Sequence, residues 1–141
     1  DLDLDEEAFE PTLNLGGVLL TQGRAKEALE VNQKAYEAAP EDALAAAQLG
    51  LSYFLTGDNG QAIRYLDHAK ELDPSHFTFP QFTLAQIFLR LGQPEDAAEE
   101  LREFMKLHPD SPDVSRAQEL LRAAEEAMKR KREIEPSDEE E

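Results

Sequence analysis

The stretch ALAAAQLGLSYFLTGDNGQAIRYLDHAKELDP, residues 43–74, decides the fold because its landmarks recur on both sides of it. Gly57 has one counterpart upstream in Gly23 and one downstream in Gly92, at nearly equal spacing along the chain. An alanine and a proline downstream of each glycine follow the same spacing. Self-similarity at a period of about 34 residues indicates a stack of similar two-helix units rather than a single irregular fold.

Each copy reads as two amphipathic helices joined by a glycine turn. In the middle copy Ile63, Leu66 and Ala69 recur at three-residue steps, which places them on one face of a helix. The turn glycine suits a left-handed helix cap, and the closing proline stops the second helix. Asp42 and Asp58 precede the two helices of this copy and are predicted N-caps, the latter in a capping box with a glutamine three residues on.

These residues resemble the tetratricopeptide repeat family over roughly residues 9–111. The family pattern is matched by Leu15-Gly16, Leu19, Gly23, Ala28, Ala35 and Pro40; by Leu49-Gly50, Tyr53, Gly57, Ala62, Leu66, Ala69 and Pro74; and by Leu84-Ala85, Phe88, Gly92, Ala97, Leu101 and Pro109. Two positions depart from it: Asn32 replaces a large apolar residue, and Phe104 replaces a small one. The resemblance implies an all-α, right-handed α-α superhelix of three helix-turn-helix units plus a C-terminal capping helix.

The predicted organisation has four parts. The first helix is expected to begin near Pro11, and the last at Ser111-Pro112 with the serine as N-cap. An array of this kind needs a terminal helix because its last hairpin otherwise leaves an apolar side bare. The predicted ranges are an acidic leader at 1–8, three repeat units at 9–42, 43–77 and 78–111, a capping helix at 112–132 and a disordered acidic tail at 133–141.

Composition excludes several classes of function. The chain has 31 acidic and 14 basic residues and a formal net charge of −17. Such a surface repels phosphates, so neither nucleic acid nor an anionic membrane is an expected partner. There is no cysteine, which excludes disulfides and thiolate chemistry, and no apolar run has the length of a membrane span. The composition fits either redox compartment, so it does not indicate a localisation.

No arrangement of residues points to catalysis, a metal or a cofactor. The three histidines, His68, His76 and His108, lack metal-ligand spacing and have no adjacent nucleophile. The carboxylates between Glu95 and Glu103 fit the wet face of an amphipathic helix better than an acid/base pair, which needs a cleft. We therefore expect a protein that is not an enzyme and that uses no cofactor.

The resemblance instead implies a peptide-binding groove. In the family, first helices line a concave surface that contacts ligand peptides, and most of the matching positions here are apolar. Arg90 is the only base among them, so the Lys, Arg and Asn cluster with which some members hold chaperone C-termini is missing. The predicted groove residues are Leu13, Leu20, Leu44, Leu51, Phe54, Leu55, Phe79, Phe82, Gln86, Leu89 and Arg90.

Two functions fit an apolar groove of this kind. A protein-interaction scaffold would bind an apolar peptide or helix of another protein there. Alternatively, the chain is a structural spacer or self-association module of a larger protein. In that case its own terminal helix, a neighbouring repeat or a second copy in a homo-oligomer covers the surface.

Overall fold

The computed structural model describes residues 6–134, and the chain within this range is entirely helical apart from turns. Most of the predicted leader and tail lies outside it. The helices are α1 Glu6–Thr21, α2 Ala25–Ala38, α3 Ala43–Thr56, α4 Asn59–Leu72, α5 Pro80–Arg90, α6 Pro94–Leu107 and α7 Val114–Ile134. They form two compact units that divide between Pro80 and Gln81.

The first unit consists of two helical hairpins, α1–α2 and α3–α4, with α2 also packed on α3. Gly23 and Gly57 follow the first helix of each hairpin with φ angles of 75° and 91°, which confirms their predicted role in the turns. Asp42 caps α3 by accepting a hydrogen bond from the Ala45 amide at 2.9 Å. Asp58 caps α4 by accepting from the Gln61 amide at 3.1 Å.

Small and branched side chains fill the interior of the first unit. Ala28, Ala62 and Ala69 are fully buried, and Leu49 and Leu66 are at most 1% exposed. Alanine at these positions lets neighbouring helices approach closely, while the leucines occupy the remaining space. The motif positions that identified the repeat are therefore largely packing positions.

The second unit contains α5, α6 and α7. Gly92 follows α5 with a φ of 72°, as its place in the third copy predicted. The Phe82 ring of α5 meets the Phe104 ring of α6 edge to face, with centroids 5.2 Å apart. Phe104 is fully buried, so the large residue at a usually small position fills the interior here.

The last helix packs against α6, as expected for a terminal cap. Ala117 and Ala124, seven residues apart, are both fully buried. Outside this contact, Arg102 pairs with Glu125 at 3.4 Å and Lys131 pairs with Glu95 at 3.7 Å. These ion pairs are solvent-exposed and contribute little stability. Burial of Ala117 and Ala124 therefore contributes more to the packing of α7 on α6.

Two helices start or end elsewhere than the sequence predicted. Helix α1 begins at Glu6, so Pro11 lies within it rather than at its start. Pro11 is exposed, and its nitrogen leaves one backbone hydrogen bond of the helix unmade. Helix α7 begins at Val114 and runs through Ile134. Ser111 is not its N-cap, because the serine hydroxyl accepts from the Asp113 amide in the preceding turn.

Within the described part of the chain, no helix is both long enough and apolar enough to span a membrane.

Candidate functional site

The predicted groove residues of α3 share one helical face, which we call the α3 face and define as Leu44, Leu51, Phe54 and Leu55. Leu55 is 52% exposed, and the other three are half-buried. Helix α3 carries no charged residue along its whole length. The α3 face therefore offers partly exposed apolar side chains on an uncharged helix, in a chain of high negative charge.

Leu13 was predicted to line the groove, but the structure places it in the interior. It is only 3% exposed and packs with Ala35 and Ala45. Phe9 and Leu44 lie against this cluster and are partly buried. Leu13 therefore lies beneath the surface, because the turn of α1 that carries it faces α2 and α3.

The remaining predicted residue of α1 and the predicted residues near α5 are partly accessible. Leu20 is half-buried, and so is Phe79, which lies in the turn before α5 with a φ of 54°. A positive φ is unusual for a residue with a bulky side chain, so the local backbone there is strained. Taken by itself, α5 presents Phe82, Gln86 and Leu89 half-buried and Arg90 exposed.

An open pocket beside α1 was not predicted. Its lining is uncharged and consists of Asn14, Gly17, Val18, Thr21, Gln22 and Gln48. Gly17 makes room for the Gln48 side chain, because a Cβ at that position would lie 3.0 Å from Oε1 of Gln48. Gln48 therefore forms the part of the pocket that α3 contributes.

A buried hydrogen-bond network holds Gln48 in place. Its Nε2 donates to the Leu13 carbonyl and to Oδ1 of Asn32, both at 2.9 Å. Asn32 Nδ2 donates to Oγ of Ser52 at 2.9 Å, and that hydroxyl donates to the Gln48 carbonyl at 2.7 Å. Bonds of this kind, buried and mutually satisfied, fix side-chain conformations and tie α1, α2 and α3 together.

Asn32 departs from the family pattern, but that pattern alone does not indicate its partners. A signal was present: Gln48 and Ser52 interrupt the otherwise apolar stripe of α3 four residues apart, on the side that holds Ala45 and Leu49. Polar residues on a buried stripe need hydrogen-bond partners, and Asn32 on the neighbouring helix supplies them.

The histidines and the acidic residues of α6, which the sequence does not assign to catalysis, contact neighbouring groups. His68 lies 2.9 Å from the Pro40 carbonyl through Nε2, and His76 lies 2.8 Å from the Thr78 hydroxyl through Nδ1. In the acidic stretch of α6, Glu103 accepts from Gln81 at 3.3 Å, in addition to the pair that Glu95 makes with α7. No group of His, Asp and Glu within residues 6–134 could hold a metal ion.

Comparison with protein families and solved structures identifies the repeat. Two tetratricopeptide repeat models match the chain, one over residues 19–79 and the other over residues 80–118. Together they cover more than two thirds of the sequence. No curated protein matches it.

Several solved structures share the fold. SycD, a type III secretion translocator chaperone of Yersinia enterocolitica, superimposes with a TM-score of 0.81 at 18% identity, over 90% of each chain. A structure of SycD with a peptide of the translocator YopD gives 0.79 at 19%, over 86% of this chain and 95% of that one. The first repeat domain of Spaghetti (RPAP3), bound to the HSP90 peptide SRMEEVD, gives 0.78 at 20%, over 91% and 98%.

A further relative has a higher identity but a longer chain. MamA of Desulfovibrio magneticus is 30% identical, with a TM-score of 0.67 over 74% of this chain and 58% of that chain. The SycD and Spaghetti structures are much less similar in sequence. Their likeness therefore establishes a common fold, and the residues that meet a ligand have to be argued from this chain.

Proposed function

The chain belongs to the tetratricopeptide repeat family, and from this premise we propose that it is a non-catalytic scaffold whose α3 face binds an apolar segment of another protein. The observation that carries the proposal is the exposure of Leu55 beside Leu44, Leu51 and Phe54 on a helix without charges. Apolar side chains grouped in this way on the surface of a domain are typical of interaction sites.

The binding free energy that the α3 face can supply is enough for a short peptide or a single helix. Full burial of one leucine or phenylalanine contributes about 1.5–3 kcal/mol, before the entropic cost of association. The residues of the α3 face already bury part of their surface, so three or four of them together support a binding constant in the micromolar range rather than tighter. This is the affinity expected of a scaffold that exchanges its partners.

The lack of basic residues on α3 and α1 bears on which kind of peptide the α3 face can bind. The HSP90 peptide bound to the Spaghetti domain, SRMEEVD, carries three acidic residues. Helix α3 has no charged residue, and α1 has no basic residue. A carboxylate placed there would lose water without gaining a cation, so an uncharged or basic apolar segment is favoured over an acidic tail.

The experiment that tests the proposal is selection from a random peptide library, followed by affinity measurements on variants. We expect the selected peptides to share apolar anchors, and Leu55→Asp to weaken their binding at least tenfold, which is about 1.4 kcal/mol. Leu72→Asp is the matched control, because Leu72 is 37% exposed on α4 and lies outside the α3 face. Retention of full affinity by the Leu55 variant, or a selection dominated by acidic peptides, would contradict the proposal.

A further inference from the structure

Equivalent positions in the first two repeats differ sharply in burial. Leu15 and Val18 of α1 are 49% and 51% exposed. Their counterparts one repeat later, Leu49 and Ser52 of α3, are both 0% exposed. The third copy agrees with the second, because its equivalent leucine and isoleucine at positions 84 and 87 are also fully buried. The repeat thus uses these positions for helix packing, and only α1 leaves them open.

In the first unit, a neighbouring helix covers Leu49 and Ser52, which lie on a different side of α3 from the α3 face. Helix α2 packs there, and its Asn32 reaches Ser52 directly through the hydrogen bond at 2.9 Å. The equivalent surface of α1 is therefore shaped to receive a helix. We call it the α1 outer face and define it as Pro11, Asn14, Leu15, Val18 and Gln22, all of which are exposed.

The charge distribution favours a second copy of the chain as the occupant. Residues 11–23 contain no charged side chain, although 32% of the whole chain is charged. Two copies that each carry −17 can approach closely only through a surface that places no carboxylates opposite each other. Asn14 and Gln22 also suit such a contact, because an amide both donates and accepts and can pair with its own equivalent.

The shape of this region is self-complementary. A two-fold interface uses the same patch on both copies, so the patch must carry both a protrusion and a recess. Leu15 and Val18 form the protrusion. The recess is the open pocket at the edge of the same face, which includes Gly17 and Gln48 in its lining and has Val18 at its rim.

We propose that two copies of this chain form an antiparallel dimer in which the α1 outer face of one packs on that of the other. The α3 face belongs to a different helix, so the dimer leaves the proposed peptide site to function separately. Because the two copies repel each other electrostatically and the contact is uncharged, added salt screens the repulsion and strengthens the dimer. An interface built on ion pairs would respond in the opposite direction.

The first test is the molar mass by light scattering from micromolar to millimolar concentration, at low and high salt. We expect the mass to rise from 15.8 kDa toward twice that value, and to rise at lower concentration in high salt. Val18→Glu should remain monomeric with unchanged helicity. Leu55→Glu, at a position of matched exposure (52% against 51%), should dimerise like the parent chain. A monomer throughout, or a Val18 variant that still dimerises, would overturn the proposal.

A second test does not depend on a charged substitution. The chain has no cysteine, so a single Val18→Cys substitution places one thiol near the proposed two-fold axis. We expect oxidation to convert this variant into a covalent dimer, while Leu55→Cys stays largely uncrosslinked. Equal crosslinking of the two variants would mean random collision and would overturn the antiparallel contact.

Discussion

Gly16 on α1 and Asn32 on α2 occupy one space between them: a Cβ added at Gly16 would lie 1.8 Å from Oδ1 of Asn32. The second repeat shows the same relationship at the equivalent positions, where a Cβ at Gly50 would lie 2.8 Å from Cγ of Leu66. The glycine of the motif thus makes room for a side chain of the partner helix. At Gly50 the added Cβ would also lie 3.1 Å from the backbone nitrogen of Leu66, so the glycine serves close approach of the helices as well as the fit of the side chain.

The first prediction concerns this contact. Gly16→Ala should lower the free energy of unfolding by about 2–4 kcal/mol, because the new methyl group displaces a buried amide from its hydrogen bonds. Gly60→Ala is the control: it lies in α4, where the added Cβ would meet only Asp58 Oδ1 at 3.8 Å. Alanine there should stabilise by up to about 1 kcal/mol. Urea denaturation measures both, and equal effects would refute the packing argument.

The second prediction concerns the buried network. Gln48→Met should cost about 1–3 kcal/mol, since Oδ1 of Asn32 loses the donor at 2.9 Å and stays buried. Asn32→Leu restores the residue type of the second repeat and removes the orphaned acceptor, so the double variant should be more stable than Gln48→Met alone. A double-mutant cycle with no coupling between the two positions would show that the network is not cooperative.

The third prediction is a pH dependence. Burial raises the pKa of the Asp67 carboxyl, with Lys70 opposing the shift and Glu71 adding to it. A raised pKa in the folded state means that stability is fully present below the ordinary value of 3.8 and is lost as the pH rises through the folded value. Asp67→Asn should therefore gain stability relative to the parent as the pH rises from acid to neutral. Denaturation at a series of pH values tests this, and a constant difference would contradict it.

The fourth prediction separates two of the aromatic residues. Phe82 is a predicted groove residue, and its ring also rests on the buried Phe104. Phe82→Ala should therefore lower the unfolding free energy by about 1–3 kcal/mol through loss of ring packing. Phe82→Leu, which keeps most of the volume, should cost less. Thermal unfolding followed by circular dichroism distinguishes this role from one confined to ligand binding.

The fold was largely predictable because local rules and packing rules agree along this chain. Gly23, Gly57 and Gly92 indicate the turns by their spacing alone, and the structure confirms that all three adopt positive φ. The family and the all-α class are likewise confirmed. The start of α1 was missed because Pro11 reads as an opening residue, whereas the acidic turn upstream is favoured at a helix N-terminus.

The site was less predictable, for a physical reason. Counting positions along a repeat gives the direction of a side chain but not its depth, and Leu13 is buried because three helices converge over it. The pocket beside α1 depends on Gln48, whose conformation is set by Asn32, 16 residues away in sequence. The unit boundaries at 42/43, 77/78 and 111/112 and the groove residues of the α3 face stay predictions.

The most direct test of the central claim is the amide chemical-shift footprint of a selected apolar peptide on the labelled chain. We expect saturating peptide to shift the amide signals of Leu51, Phe54 and Leu55 and to leave those around Leu72 in place. A footprint that spares α3, whether it falls on the α1 outer face or on the acidic surface of α6, would show that the α3 face is not the peptide site.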